Sequence, residues 1–414
     1  MGRTFRSPLM LMALTVFIDI TGFGLVLPLL PFWALHLGAN PFGVGMILTS
    51  YALAQFIFTP VLGSLSDRFG RRPVIIASLV IEALSLAFSA IAWTLPILLL
   101  ARFIGGVGAS NIGSAQAVVA DTTPPEGRAR GMGLIGASIG LGFVIGPAIG
   151  GVLAVAGSTV PFWVAAAVAL INAALVFRFL PETHTRRATS APARTGGASI
   201  LTGWNRAVRS PAVARLVAIN LLFTLAFTAM EAVFPLFTEH NFGWKEVQNG
   251  YIFTYVGVII VIMQGGLVGR LVKRYGEQAL LRFGLVALAA GLLLMPFGTT
   301  LGVLLIATGI LSVGDGAVTP TSSALISFAA PADAQGETLG VAQGAGGLGR
   351  VLGPIAAGAL FTWPGPAAPF VAGGLLSLVA LVVALPHLPR GARAQQAVAD
   401  TVESAPAAPA GSAQ

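Results

Sequence analysis

The sequence predicts an all-α membrane protein, with twelve transmembrane helices in two pseudo-symmetric six-helix bundles. Three observations predict it. Charged residues make up only 9 % of the 414 and apolar ones 56 %, whereas a soluble domain carries about 25 % charged residues. Apolar runs of about 20 residues recur between turns, the length a helix needs to cross a bilayer. Two patterns also repeat at nearly one spacing: GSLSDRFGRR at Gly63 returns as GRLVKRYGEQ at Gly269, 206 residues on, and GPAIGG at Gly146 returns as GPIAAG at Gly353, 207 residues on. A transmembrane β-barrel is excluded, because its strands would alternate over ~10 residues instead of running apolar without break. The 52 glycines suit helices that approach closely in lipid.

Taken in order, the predicted spans are 9–35, 43–66, 73–93, 95–121, 129–157 and 160–180, then 211–239, 246–272, 277–297, 300–329, 336–362 and 367–388. The start is basic then apolar, like a signal peptide. Its run contains Asp19, lacks a small-residue cleavage site and continues to Trp33, so it reads as the first span. Residues 1–180 form one bundle and 211–388 the other. The polar, basic, Pro/Gly/Ser-containing stretch 181–210 is a linker, and the Ala/Pro/Gln-rich 389–414 reads as a disordered tail. Basic residues fall on one side: Arg3 and Arg6, Arg68, Arg71 and Arg72, Arg128 and Arg130, the linker arginines, Lys273 and Arg274, Arg390 and Arg393. The opposite loops hold only Lys245. That asymmetry predicts a plasma-membrane protein, in bacteria the inner membrane, with both termini cytoplasmic.

The net charge of +8 is this loop bias and not a nucleic-acid signal. With zero cysteines there is no disulfide, thiol catalysis or Cys-ligated metal. His36, His184, His240 and His387 lie in loops or near interfaces, and no metal site is expected. No HExxH or paired-histidine motif points to a membrane-embedded enzyme, and no P-loop points to ATP. A parallel repeat of six spans is the architecture of transporters with two halves around a central site. Energy then comes from an ion gradient, with no cofactor.

Six ionisable residues fall inside the spans: Asp19, Glu82, Arg102, Glu231, Asp315 and Arg350. Each costs at least ~2.5–3.5 kcal/mol at a helix centre, so each needs a partner or a wet cavity. A carboxyl in a low-dielectric cavity can take a proton from one side and lose it on the other. Asp19 is the first choice of proton carrier, Asp315 and Glu231 follow, and Glu82, on a helix expected at the periphery, comes last. Counting 1.5 Å per residue puts Asp315 and Arg350 both near mid-membrane, placed to pair. It puts Asp19 about a third of the way up helix 1 and Arg102 in the outer half of helix 4, at different depths.

The charged loop from Gly63 to Arg72 has a mechanical reading. Gly63 and Gly70 allow close approach and a turn, and Asp67 is placed to accept hydrogen bonds from the positive end of a helix in the other half, read as helix 11. Arg68 adds topogenic charge. The echo at Gly269 has Lys273 where Asp67 stands, so any latch is asymmetric.

At these residues the chain resembles the major facilitator superfamily, from about residue 9 to 388. The run from Gly63 to Arg72 matches that family's signature between helices 2 and 3, and the resemblance implies that Arg71 bridges Asp67 to Asp121. Gly142, Gly146, Pro147, Gly150 and Gly151 resemble the antiporter signature of helix 5, the run from Arg102 to Gly108 the proton-linked motif of helix 4, and Asp19 to Pro31 the helix 1 motif of twelve-span drug:proton antiporters. SDRFGRRPV, LARFIGG, LPETH and YALAQF bring it near the tetracycline-efflux and multidrug exporters. Two departures keep tetracycline itself out of the implication: Glu82 precedes by nearly one turn the position, Ser85, where those exporters carry an acid, and MEAVFPLFTEH resembles other multidrug exporters. Implied is a monomeric transporter exporting an amphipathic small molecule against protons. Polar or aromatic candidates for its cavity are Gln55, Asn111, Gln116, Asn220, Phe223, Phe227, Gln264 and Gln343, since aromatics beside an acid hold lipophilic cations. The rivals are a sugar or metabolite exporter and a non-transporting receptor or scaffold.

Overall fold

The computed structural model describes residues 7–183, 209–330 and 335–386, with Asn205 and Leu388. Among the described residues twelve long helices follow in order: α1 (Pro8–Val26), α2 (Pro41–Phe69), α3 (Arg71–Ala90), α4 (Leu95–Thr122), α5 (Pro125–Ala154), α6 (Val160–Phe179), α7 (Pro211–Phe242), α8 (Glu246–Tyr275), α9 (Glu277–Phe297), α10 (Leu301–Ala329), α11 (Gln335–Thr362) and α12 (Ala368–Ala384). Among the described residues there is no strand. Eleven of the helices are long and apolar enough to cross a membrane. The twelfth, at 17 residues, stands at the short end of the spanning range. The tail and most of the linker expected from the sequence lie outside the described residues.

Local chemistry sets the ends. Asn40 caps α2 by accepting from the Gly43 amide at 2.8 Å, and Thr300 caps α10 through Val303. Gly70 (φ +105°) and Gly276 (φ +83°), the equivalent residues of the two repeats, each join one helix to the next in a backbone conformation that disfavours a side chain. Gly70 is also crowded: a Cβ there would lie 2.5 Å from Glu182 Oε2.

Three helices depart from the uniform spans expected. The first span is α1 plus a separate helix of about two turns, Leu30–His36, because Pro28 and Pro31 interrupt the backbone ladder. Helix α4 narrows to a 3-10 turn at Ala109–Asn111, held by Gln55 Nε2 donating to the Ala109 carbonyl at 3.2 Å and by Ser110 Oγ donating to Gly106 at 2.9 Å. Helix α8 widens to a π-turn at Met263–Leu267, over the pair Gly265 and Gly266.

Two seams join the halves. Along the first, α5 lies on α8; along the second, α2 lies on α11. The helix 5 glycines divide between neighbours. Gly142, Gly146 and Gly150 face α1, where a Cβ at Gly146 would come within 2.8 Å of Gly24 Cα, while Gly151 and Pro147 face Gly250 of α8. Helix α11 repeats the division, with Gly349 and Gly353 against α7 and with Gly347, Pro354 and Gly358 against Phe56, Gly45 and Pro41 of α2. In both seams the carbonyl of a helix proline, Pro147 or Pro354, rests on a glycine of the other half. Phe42 N donates to Thr362 Oγ1 at 3.1 Å, and Thr49 Oγ1 donates to the Val351 carbonyl at 2.9 Å, both across the second seam.

These contacts run from the end opposite the arginine-bearing loops to about mid-helix, ending near Phe56 with Gly347 and Gly140 with Val261. Beyond them, towards the basic end, Gly63, Gly136, Gly265 and Gly340 have nothing within 4 Å of a built Cβ. The molecule is closed at one end and open at the basic end.

Candidate functional site

Between the halves lies a cavity of about 450 Å³. Helix α7 gives it Asn220, Phe223, Phe227 and Glu231; α10 gives Asp315 and Thr319; α11 gives Gln343 and Arg350; α8 gives Gln264. The sequence explains how these side chains come to face one space. Glu231 and Arg350 each stand four residues before a proline of their own helix, Pro235 and Pro354. The missing N–H of each proline frees the carbonyl of the charged residue and bends the helix there. Phe223 and Phe227 are one turn apart with centroids at 6.3 Å, which makes an apolar shelf beside the charges.

The charges pair differently from expectation. Among the described residues, Asp315 and Arg350 form no ion pair within 4 Å. The Asp315 carboxylate accepts from Thr319 Oγ1 at 3.4 Å, while the charged neighbour of Arg350 is Glu231, which also neighbours Asp315. The depth count matched the two residues but not their helix faces. Arg350 is open to the cavity and Asp315 is buried.

A second polar cluster lies in the first half. The Asp19 carboxyl neighbours Glu82 and Asn111, and Glu82 is in turn the charged neighbour of Arg102. All are buried: Asp19 8 %, Glu82 5 %, Asn111 3 % and Arg102 4 % exposed. The Arg102 guanidinium lies over the Tyr51 ring at 4.6 Å. Asp19 Oδ1, Glu82 Oε2, Asn111 Nδ2 and Arg102 Nε are buried without a hydrogen-bond partner. Glu82 is therefore central to this cluster and not a peripheral residue. Asp19 and Arg102 do not stand at unrelated depths, because Glu82 bridges them. Over the whole first span, Pro8–Val26 with Leu30–His36, Asp19 lies a little over a third of the way along, as counted.

A chamber of about 90 Å³ connects the clusters, lined by Tyr51, Gln55 and Arg102 from the first half and Thr228, Glu231 and Arg350 from the second. Of the other substrate candidates, Asn111 belongs with Asp19, and Gln116 is exposed and lines neither space.

At the charged loop, Arg71 joins Asp67 (2.5 Å) to Asp121 (3.2 Å) and donates to Ser66 Oγ at 3.1 Å. The bridge implied by the resemblance is present. The contact expected between Asp67 and helix 11 is not: the Asp67 side chain is 61 % exposed, because the halves stand apart at this end. Glu182 supplies what sequence reasoning missed. Its carboxylate accepts from the amides of Arg71 at 3.0 Å and Arg72 at 3.3 Å, capping α3 from just after the end of α6. The phrase LPETH carried that signal. Tyr51 was missed as well, though it stands in YALAQF. Arg68 lies over the adjacent Phe69 ring, as a surface charge does.

Gly136-Ala-Ser138-Ile-Gly140 spells a hydrolase nucleophile motif, G-x-S-x-G. It lies inside α5, with no strand before it, and a nucleophile elbow needs a strand-to-helix turn. Among the described residues no cluster of histidine and acids could hold a metal ion.

The sequence model of the Major Facilitator Superfamily matches residues 12–297 and 265–411. This chain belongs to the Major Facilitator Superfamily. Within the superfamily it is 33 % identical over 375 residues to the tetracycline resistance protein, class C, of Escherichia coli, covering 89 % of this chain and 93 % of that one. It is 30 % identical to multidrug resistance protein 2 of Bacillus subtilis, covering 88 % and 91 %. The crystal structure of the human organic anion transporter MFSD10 superposes with a TM-score of 0.71 at 25 % identity, covering 92 % of this chain and 99 % of that one. Superfamily membership and fold are those of a multi-pass membrane transporter and not of an enzyme. The superfamily's two-bundle architecture accounts for both seams and for the cavity between them.

Proposed function

We propose that this chain is a secondary active exporter that exchanges an amphipathic small molecule for protons by alternating access. The observation that carries the reading is the cavity: it opens towards the basic end only, and it brings Glu231, Asp315 and Arg350 together beside phenylalanine faces. Lipophilic surface and a displaceable carboxylate charge are what a cationic amphiphile needs. Relatives named for tetracycline and multidrug resistance support export of such compounds.

By the positive-inside rule the basic end is cytoplasmic, so the state described is inward-facing and both termini are inside, in a bacterial plasma membrane. Asp19 with Glu82 forms one proton site, and Glu231 with Asp315 forms a second that substrate shares. The Arg71 bridge holds the loop ready for the closed inner gate, where Asp67 meets α11. The exporter acts as a monomer and needs no cofactor beyond the gradient.

The test is purified protein in proteoliposomes with an inside-acid gradient. Dye or drug movement should follow the size of the gradient. Movement absent at every gradient, with sugar movement present, overturns the reading in favour of a sugar or metabolite exporter; no gradient-coupled flux at all favours a receptor or scaffold. Replacing the proton gradient by a sodium gradient separates the two ions.

A further inference from the structure

We infer that the chamber between the two halves is a subsite for an anionic group, so that the preferred substrate is a zwitterionic amphiphile carrying one amine and one carboxylate. The inference rests on the export reading above and refines its substrate class.

The two spaces differ in charge. Glu231 and Arg350 line both of them, so they form the partition. On the cavity side the further charged residue is Asp315, which leaves two carboxyls against one guanidinium. On the chamber side the further charged residue is Arg102, which leaves two guanidiniums against one carboxyl. Among the side chains that line them, the two ends of this short passage therefore carry opposite balances of charge, with Glu82 behind the chamber wall as the charged neighbour of Arg102.

The chamber is also built to donate hydrogen bonds. Arg102 is buried with its Nε unpartnered. Arg350 forms no ion pair within 4 Å among the described residues. Guanidinium is the group best shaped for a carboxylate, offering two parallel N–H donors in a plane. Tyr51, Gln55 and Thr228 add polar groups to the wall. At about 90 Å³ the chamber accepts a carboxylate and excludes the body of a drug, which must stay in the 450 Å³ cavity. The amine end then faces Asp315 and the aromatic shelf of Phe223 and Phe227, and the carboxylate end passes the partition towards Arg350 and Arg102. A permanent monocation fills only the first of these places.

The test uses a matched pair, a fluoroquinolone with free amine and carboxylate and its methyl ester, which keeps the amine and loses the anion. Binding to the purified full-length transporter in detergent is measured by intrinsic tryptophan fluorescence, with no gradient. The wild type should bind the acid at least tenfold more tightly than the ester. Arg350→Gln should lower that preference at least tenfold, and Arg350→Lys should restore part of it. Gln55→Glu, which places an acid in the chamber, should invert the preference. If wild type binds both compounds equally, or if Arg350→Gln and Gln55→Glu each shift both affinities by the same factor, the anion subsite is refuted while the export reading stands. If neither compound binds and no gradient-driven drug flux occurs, both fall.

Discussion

A single added carbon at Gly250 should shift this transporter between its two states. The glycine faces α5 where the halves meet, and a Cβ there would lie 2.7 Å from the Pro147 carbonyl oxygen and 2.9 Å from Gly151 Cα. Neither neighbour is a flexible side chain, so the helices must separate. Overpacking of this kind costs about 1–3 kcal/mol. The cost falls on the state in which this end is shut and vanishes where the ends part, so the equilibrium should move roughly 5- to 150-fold towards the open outer end. The chain has no cysteine, so one introduced thiol is a clean reporter. Leu30 is 2 % exposed and lines the chamber, on a short helix packed against α2 and α7, so it is reached from outside when the closed end parts. Labelling of Leu30→Cys by a membrane-impermeant maleimide should therefore speed up by that factor in Gly250→Ala. Gly136→Ala, on the same helix pair but in open space, should not speed it. Equal labelling in Gly250→Ala and its parent would refute the idea that this seam opens in the cycle.

Gly70→Ala places a side chain at φ +105° and against Glu182, and should lower stability by about 1–3 kcal/mol in thermal unfolding. Glu182→Ala, which removes the cap on α3, should cost about 1 kcal/mol. The two losses together should be less than additive, because they break one contact. Asp67→Asn leaves Arg71 bound to Asp121 and Ser66, and the Asp67 side of the lost pair is 61 % exposed, so stability should change by under about 1 kcal/mol. Transport should nevertheless slow, and unchanged transport would return Asp67 to a topogenic role. Asp19→Asn should abolish gradient-driven drug accumulation at normal membrane expression; retained accumulation would move the proton site to Asp315 or Glu231.

The fold was legible because its signals are local. Apolar runs, proline starts and positive-φ glycines each act within one helix, and the echo of Gly70 in Gly276 gave the two halves. The candidate site was legible as a list of residues but not as partnerships. Counting residues along a helix gives depth only, so Asp315 and Arg350 matched, although Arg350 in fact neighbours Glu231. Glu82 looked peripheral because its helix, α3, was expected at the outside of the bundle, and nothing along α3 shows that this side chain turns inward to Asp19 and Arg102. Glu182 was quoted within a phrase and yet given no role, because a cap that reaches α3 from 111 residues away leaves no periodic trace. The missing contact between Asp67 and α11 has another origin: a sequence encodes both ends of a transport cycle, and a structure holds one.

The proline carbonyls resting on glycines bear on speed. A joint made of interlocked side chains must find its rotamers again each time it closes, and a misfit of one methyl group jams it. A joint made of bare backbone has a single way to fit and no rotamers to search. Pro147 on Gly250 and Pro354 on Gly45 give the centre of each seam that kind of contact, at corresponding places in the two repeats, with the side chains of Thr49, Phe56 and Thr362 around the second. Closing can then proceed as one rigid rocking step, with its rate set by expulsion of water and lipid from a smooth strip. Turnover should accordingly depend on bilayer fluidity more steeply than on the identity of the cargo.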